Sequence, residues 1–328
     1  MVSTGERPSA RGSGDVADLV GRARTGDARA VARLISLVED ASPLLREVMA
    51  ALVPHTGQAQ IVGVTGSPGV GKSTCTSALV TALRTAGKRV GVLAVDPSSP
   101  FSGGALLGDR IRMQDHALDD DVFIRSMATR GQLGGLAWST PQALRVLDAA
   151  GCDVVIVETV GVGQSEIEIA SLADTTLVLV APGMGDGIQA AKAGILEIGD
   201  IYLVNKADRE GADNVRRDLR AMLTPAERAD DGWQPPVLKT VASSGEGMDE
   251  VAGALARHAS WLETSGVLTT RRTRRARAEV EALAVTALRE RWGDVGGRSE
   301  LDDLAAAVAA GETDPYAASD RLLESFAD

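Results

Sequence analysis

The chain has 328 residues, of which 44% are hydrophobic and only 3% aromatic, and it carries a formal net charge of −11. That length suits one full α/β domain with appendages, or two domains, around a core of Val, Leu, Ile and Ala. The acidic balance argues against nucleic acid or an anionic membrane as the main partner.

Cys75 and Cys152 form no motif and read as small buried residues, not as a disulfide framework. His55, His116 and His258 are scattered, so no metal-ligand cluster is visible. The N-terminus lacks an apolar leader, and no apolar run approaches the length that spans a bilayer. A soluble, cytoplasmic protein is expected.

Residues 1–14 are rich in Ser, Gly and Pro and are expected to be disordered. Residues 15–53 read as helical. Val31, Leu34, Ile35 and Val38 recur at helical spacing, as do Leu44, Leu45, Val48, Met49 and Leu52, and Ser42-Pro43 reads as an N-cap followed by Pro at N1. By periodicity alone this hairpin is packing material. From Ile61 onward, strand patterns at 61–65, 89–95, 122–126, 153–157, 176–181, 200–204 and 236–240 alternate with segments long enough for crossovers. The expected fold is α/β, with a mostly parallel, doubly wound sheet. The expected division is a tail and helical region over 1–55, a nucleotide domain over 56–262 and a helical arm over 263–328.

The stretch Gly66-Ser67-Pro68-Gly69-Val70-Gly71-Lys72-Ser73 fits the phosphate-binding pattern G-x-x-x-x-G-K-[ST] between a strand and a helix, as the motif requires. Its glycines let successive backbone N–H groups curl into an anion-binding nest. The helix opening at Lys72 adds its positive dipole end, and Leu79, Val80 and Leu83 give that helix an apolar face, with Gly87 at the C-cap. Gly66, Pro68, Gly69, Val70, Gly71, Lys72, Ser73 and Thr74 are the expected phosphate-binding set, with the Lys72 charge toward the β- and γ-phosphates and the Ser73 hydroxyl as a Mg²⁺ ligand.

In a parallel sheet, functional residues belong at the carboxyl ends of strands. One strand ends in Asp96-Pro97-Ser98-Ser99-Pro100. Alone this reads as a proline-stiffened turn, but beside a phosphate loop Asp96 can hold the metal shell or orient water. A second strand ends in Glu158-Thr159-Val160-Gly161, an acid followed three residues later by a glycine whose N–H would sense the γ-phosphate. A third ends in Asn205-Lys206-Ala207-Asp208. The Asp208 carboxylate can accept from guanine N1–H and the 2-amine, while adenine leaves it unpaired. Sites built on such bonds discriminate by ~10⁴-fold or more. The Lys206 stem would cover the base, and Ala242-Ser243-Ser244-Gly245 follows a strand, where the backbone at Ser243 and Ser244 can meet guanine O6. The pattern favours GTP over ATP.

With these motifs the chain resembles the methylmalonyl-CoA mutase-associated GTPase chaperones, of the MeaB/ArgK type, within the signal-recognition-particle-like GTPases. The resemblance runs over roughly residues 16–260. It includes Gly108-Asp109-Arg110-Ile111-Arg112-Met113, Thr129-Arg130-Gly131-Gln132-Leu133-Gly134-Gly135 and Glu158-Thr159-Val160-Gly161-Val162-Gly163-Gln164-Ser165-Glu166. It also includes the segment from Gly185-Asp186-Gly187 to Ile195, and Asn205-Lys206-Ala207-Asp208. The resemblance implies that Lys72, Ser73, Asp96, Asp109 and Glu158 surround the phosphates and Mg²⁺, and that residues 101–113 and 158–170 act as switches. It also implies a third switch near 183–194, including Lys192, facing the partner. The implied activity is Mg²⁺-dependent GTP hydrolysis to GDP and phosphate, gating cofactor loading of an adenosylcobalamin-dependent acyl-CoA mutase. The implied assembly is a homodimer through the C-terminal arm, over 276–292 and 301–308, with Asp314-Pro315 opening a last helix. A nickel-insertion GTPase would share the fold but needs a His or Cys tract. A transport kinase needs tolerance of ATP, and a nucleotide-gated scaffold would use the same switches.

Overall fold

The computed structural model of the chain describes residues 11–96, 113–116, 118–128, 139–159, 165–183, 197–223, 232–292 and 299–325. Its apolar runs form β1 (Gln60–Gly66), β2 (Val90–Asp96), β3 (Val122–Ala128), β4 (Val154–Glu158), β5 (Thr175–Val180), β6 (Ile201–Val204) and β7 (Val237–Lys239). These are the seven expected strands, each end within two residues of its expected place. They pair in parallel in the order β3-β2-β4-β1-β5-β6-β7. The central strands β4 and β5 are buried along their whole length, which is why they read as unbroken apolar runs.

The helices are α1 (Arg11–Arg24), α2 (Ala28–Glu39), α3 (Leu45–Leu52), α4 (Lys72–Thr85), α5 (Thr140–Ala149), α6 (Ser165–Leu172), α7 (Ala212–Leu223), α8 (Met248–Thr264), α9 (Val267–Trp292), α10 (Ser299–Ala309) and α11 (Pro315–Glu324). One face of the sheet packs Val62, Val64, Val92, Ile156, Leu177 and Leu203 against Leu79, Val80 and Leu83 of α4 and Val251 and Leu255 of α8. On the opposite face, Leu93, Val95, Val155 and Val157 share one core with Leu144 and Leu147 of α5 and with Leu34, Ile35, Val38, Val48 and Leu52 of the N-terminal hairpin. The hairpin thus covers the sheet directly. Its link to β1 is fastened by Asp148 of α5, whose carboxylate accepts from the backbone N–H groups of Gly57, Gln58 and Ala59.

Two helix starts differ from expectation. Helix α1 begins at Arg11, four residues before the expected helical start. Ser42 does not cap α3 as an N-cap with Pro43 at N1: Ser42 Oγ accepts from Leu44 N at 3.3 Å, and the helix proper starts at Leu45. The Ser-Pro pair makes a preliminary turn, closed by Leu45 N donating to Ser42 O at 2.8 Å. The end of α4 follows expectation. Gly87 has φ 76°, Gly87 N donates to Arg84 O and Lys88 N to Leu83 O, the paired bonds of a Schellman cap. Cys75 and Cys152 are both buried free thiols.

The chain divides into two compact units, Met1–Arg271 and Arg272–Asp328. The second contains the rest of α9 together with α10 and α11. Asp314 caps α11 by accepting from Tyr316 N and Ala317 N, with Pro315 at the first helical position as the Asp-Pro pair implied. Among the described residues no helix is long and apolar enough to cross a membrane.

Candidate functional site

The phosphate-loop sequence lies between β1 and α4, at the carboxyl end of the central strand. Gly66, Gly69 and Gly71 have φ of 143°, 81° and 95°. A Cβ on Gly66 would lie 2.4 Å from Leu179 O, and one on Gly71 would lie 2.7 Å from Asn205 Nδ2, so both positions exclude any side chain. Helix α4 opens immediately after Gly71, adding its first backbone N–H groups and its positive dipole end to the curl of the loop. The arrangement suits an anion.

Lys72 is buried at 8% exposure. Its Nζ donates to Gly66 O at 2.7 Å and to Ser67 O at 3.3 Å. Ser73 Oγ donates to Glu158 Oε1 at 2.6 Å, and both residues are buried. The register explains the meeting: Glu158 ends β4 and lies level with Val64 of β1 and Ala94 of β2. Thr159 continues the tie, with its N–H and Oγ1 both donating to Val64 O. A hydroxyl and a carboxylate held together at this depth form a hard-oxygen pair of the kind Mg²⁺ takes. Beneath them the Cys75 thiol is pushed up to about 12 by burial, with the Glu158 charge adding to the effect. That sulfur is chemically silent.

The Asn205-Lys206-Ala207-Asp208 motif leaves the end of β6 and joins the loop from the other side. Asn205 Nδ2 donates to Val70 O at 2.8 Å, while its Oδ1 accepts from Ala242 N at 3.1 Å and from Thr240 Oγ1 at 3.3 Å. One buried amide therefore fastens the phosphate loop, β6 and the segment after β7 to one another. Lys206 adopts φ 56°, and its Nζ donates to Gly69 O at 2.6 Å. Asp208, Ser243 and Ser244 are exposed at the rim, and the turn bearing the serines is closed by the Val241–Glu246 bridge.

The structure thus brings together Gly66, Pro68, Gly69, Val70, Gly71, Lys72, Ser73, Thr74, Glu158, Asn205 and Lys206, with Asp208, Ser243 and Ser244 on the segments that flank them. Asp96 closes β2, the strand beside β4, in register with Ala128. Asp109, Gly161, Gln164 and Lys192 lie outside the described residues. Sequence reasoning missed Thr240 and the Ala242 N–H as supports of Asn205. The signal available was the strand that ends just before them.

A parallel sheet with a phosphate loop after its central strand, and a guanine-type Asn-Lys-x-Asp motif two strands away, defines a P-loop GTPase. The family model described as methylmalonyl Co-A mutase-associated GTPase MeaB matches residues 31–294, and the chain belongs to this family. A Pyrococcus abyssi protein whose name assigns it to the GTPases is 46% identical over 311 residues, covering 94% of this chain and 96% of its own. The mouse mitochondrial methylmalonic aciduria type A homolog is 34% identical over 269 residues, 81% of this chain and 65% of its own. The crystal structure of an LAO/AO transport system kinase superposes with a TM-score of 0.73 at 29% identity, covering 98% of this chain and 100% of that one.

Proposed function

We propose that this protein hydrolyses GTP to GDP and phosphate in a Mg²⁺-dependent cycle that controls an adenosylcobalamin-dependent acyl-CoA mutase. In this reading it gates loading of the mutase's cofactor and protects the mutase as a homodimeric, cytoplasmic chaperone. The observation that carries the nucleotide half is the direct fastening of the loop to the base motif, Asn205 to Val70 O and Lys206 to Gly69 O. The partner half rests on the family, whose description names methylmalonyl-CoA mutase, and on the mouse relative named for methylmalonic aciduria.

In this reading the N–H groups from Gly66 to Thr74 cradle the phosphates, and the Lys72 amine exchanges its two loop carbonyls for β- and γ-phosphate oxygens. Ser73 and Glu158, with Asp96 and Asp109, would hold Mg²⁺, whose chemistry there would be to supply positive charge to the phosphate oxygens. The Gly161 N–H would meet the γ-phosphate and lose that contact on hydrolysis. Asp208 reads guanine N1–H and the 2-amine, the Lys206 stem covers the base, and Ser243 presents its backbone N–H to O6, whereas the Ser244 N–H expected to join it donates instead to Val241 O at 3.0 Å.

The test is GTP turnover by the purified protein, with and without a cobalamin-dependent acyl-CoA mutase from the same genome. Stimulation by the mutase that disappears in Lys72→Ala is the expected result. GTP turnover that no such mutase alters would overturn the partner half and leave the GTPase standing.

A further inference from the structure

At the amino ends of the strands, opposite the nucleotide, lies a second buried polar cluster. Gln60 Nε2, at the start of β1, donates to Thr175 Oγ1 at 3.0 Å, and Thr175, at the start of β5, lies 2.8 Å from His258 Nδ1 of α8. His258 Nε2 faces Asp200 Oδ1 at 3.5 Å, and a carboxylate can only accept, which favours the imidazole proton on Nε2 with Nδ1 accepting from Thr175 Oγ1. Asp200 immediately precedes β6. It receives both arms of Arg271, Nη1 to Oδ2 and Nη2 to Oδ1, each at 2.8 Å, and also accepts from Thr176 N at 2.9 Å. Arg271 Nη1 also donates to Asp174 O, and Trp233 Nε1 donates to Asp200 O. Asp174, Thr175, Asp200 and His258 are all buried. Nothing in the nucleotide chemistry uses this cluster.

Its placement along the chain gives it a use. Asp200 and Asn205 are separated only by the four residues of β6, an extended span of about 17 Å. Strand β6 is four residues long and lies next to the sheet edge, paired along its whole length with β5 on the inner side and over three residues with β7 on the outer. The bidentate ion pair anchors its lower end. We propose that Arg271, acting through Asp200, is a positioning residue for base recognition: it sets the height at which β6 presents Asn205, Lys206 and Asp208. The proposal rests on the guanine-nucleotide reading of the site.

The experiment measures equilibrium affinity for GTP and for ITP, which lacks the 2-amine that Asp208 would bind, in the full-length wild type, Arg271→Lys and Asp200→Asn. Lysine keeps the charge without the two-armed geometry, and asparagine keeps the shape without the charge. Circular dichroism verifies the fold, so that one variant carries the test if the other does not fold. A displaced β6 should lower the GTP-to-ITP affinity ratio about threefold to tenfold, mostly through loss of GTP affinity. A general loosening of the fold would weaken both nucleotides by the same factor. A ratio equal to wild type in a folded variant, whether the affinities stay or fall together, overturns the proposal. A wild type that does not distinguish GTP from ITP overturns the guanine reading itself, and this inference with it.

Discussion

The bond between Ser73 Oγ and Glu158 Oε1 joins two residues that lie far apart in the chain and are buried together, so each can be changed without touching the phosphate-binding backbone. Ser73→Ala and Glu158→Gln are expected to raise the Mg²⁺ concentration for half-maximal GTP turnover by about 10–100-fold, the usual cost of losing a metal-site partner. A Mg²⁺ titration of turnover checks this, and an unshifted midpoint would remove both residues from the metal site. His258 makes a different kind of prediction. Burial pushes its pKa from 6.5 down to about 4; the Asp200 and Asp174 charges oppose the shift and Arg271 reinforces it. The folded protein therefore holds a neutral imidazole where the unfolded chain takes up a proton below pH 6.5. The stability this contributes is complete above pH 6.5 and is lost progressively as pH falls toward 4, by about 3 kcal/mol in all. Urea midpoints between pH 7 and 4.5 should fall less steeply in His258→Gln than in the wild type.

At the scale of elements, the phosphate loop is a backbone shape held by neighbours, and two glycines separate the contributions. Gly69 and Gly71 both have positive φ, but a Cβ at Gly69 meets nothing within 4 Å, whereas one at Gly71 runs into the Asn205 amide. Both alanine variants carry the left-handed strain of about 1–2 kcal/mol. Gly71→Ala should cost a further 1–3 kcal/mol, roughly that of displacing a buried hydrogen-bonded group, as read from denaturant unfolding without nucleotide. Equal losses would mean that Asn205 yields freely. The glycines themselves were legible from the motif, as were all seven strands, because apolar runs and turn residues are local signals. Asn205 and Lys206 were legible as a base motif. Their second role, holding the loop through Val70 O and Gly69 O, was not, because it depends on strand order, and the φ of 56° at Lys206 has no sequence signature. For the same reason, neither the triple capping by Asp148 nor the Ser42 turn before α3 could be read from periodicity. Expectations resting on Asp109 and Lys192 came from the family resemblance and that on Gly161 from its spacing after Glu158, and all three belong with the proposed mechanism.

For the whole molecule, the arm raises the question of assembly. Val280, Leu283, Val285 and Leu288 of α9 are 67%, 49%, 42% and 47% exposed, on a chain with a net charge of −11. Val280, Leu283, Ala287 and Leu288 recur at helical spacing and form one apolar stripe, the kind of surface that soluble chains cover by association. In the proposed homodimer this stripe is the contact. The like charge of two acidic chains opposes that contact, so burial of the stripe has to outweigh it. The double variant Leu283→Glu/Leu288→Glu puts two further acids on each copy at the centre of the stripe. Light scattering during size exclusion should then show a species of twice the 34.0 kDa chain mass replaced by the monomer. GTP turnover without partner should be unchanged, because these leucines belong to the unit that follows Arg271 and the phosphate loop belongs to the other. A double variant that stays dimeric moves the contact away from α9. A monomer that has also lost basal turnover would make the dimer part of the active site.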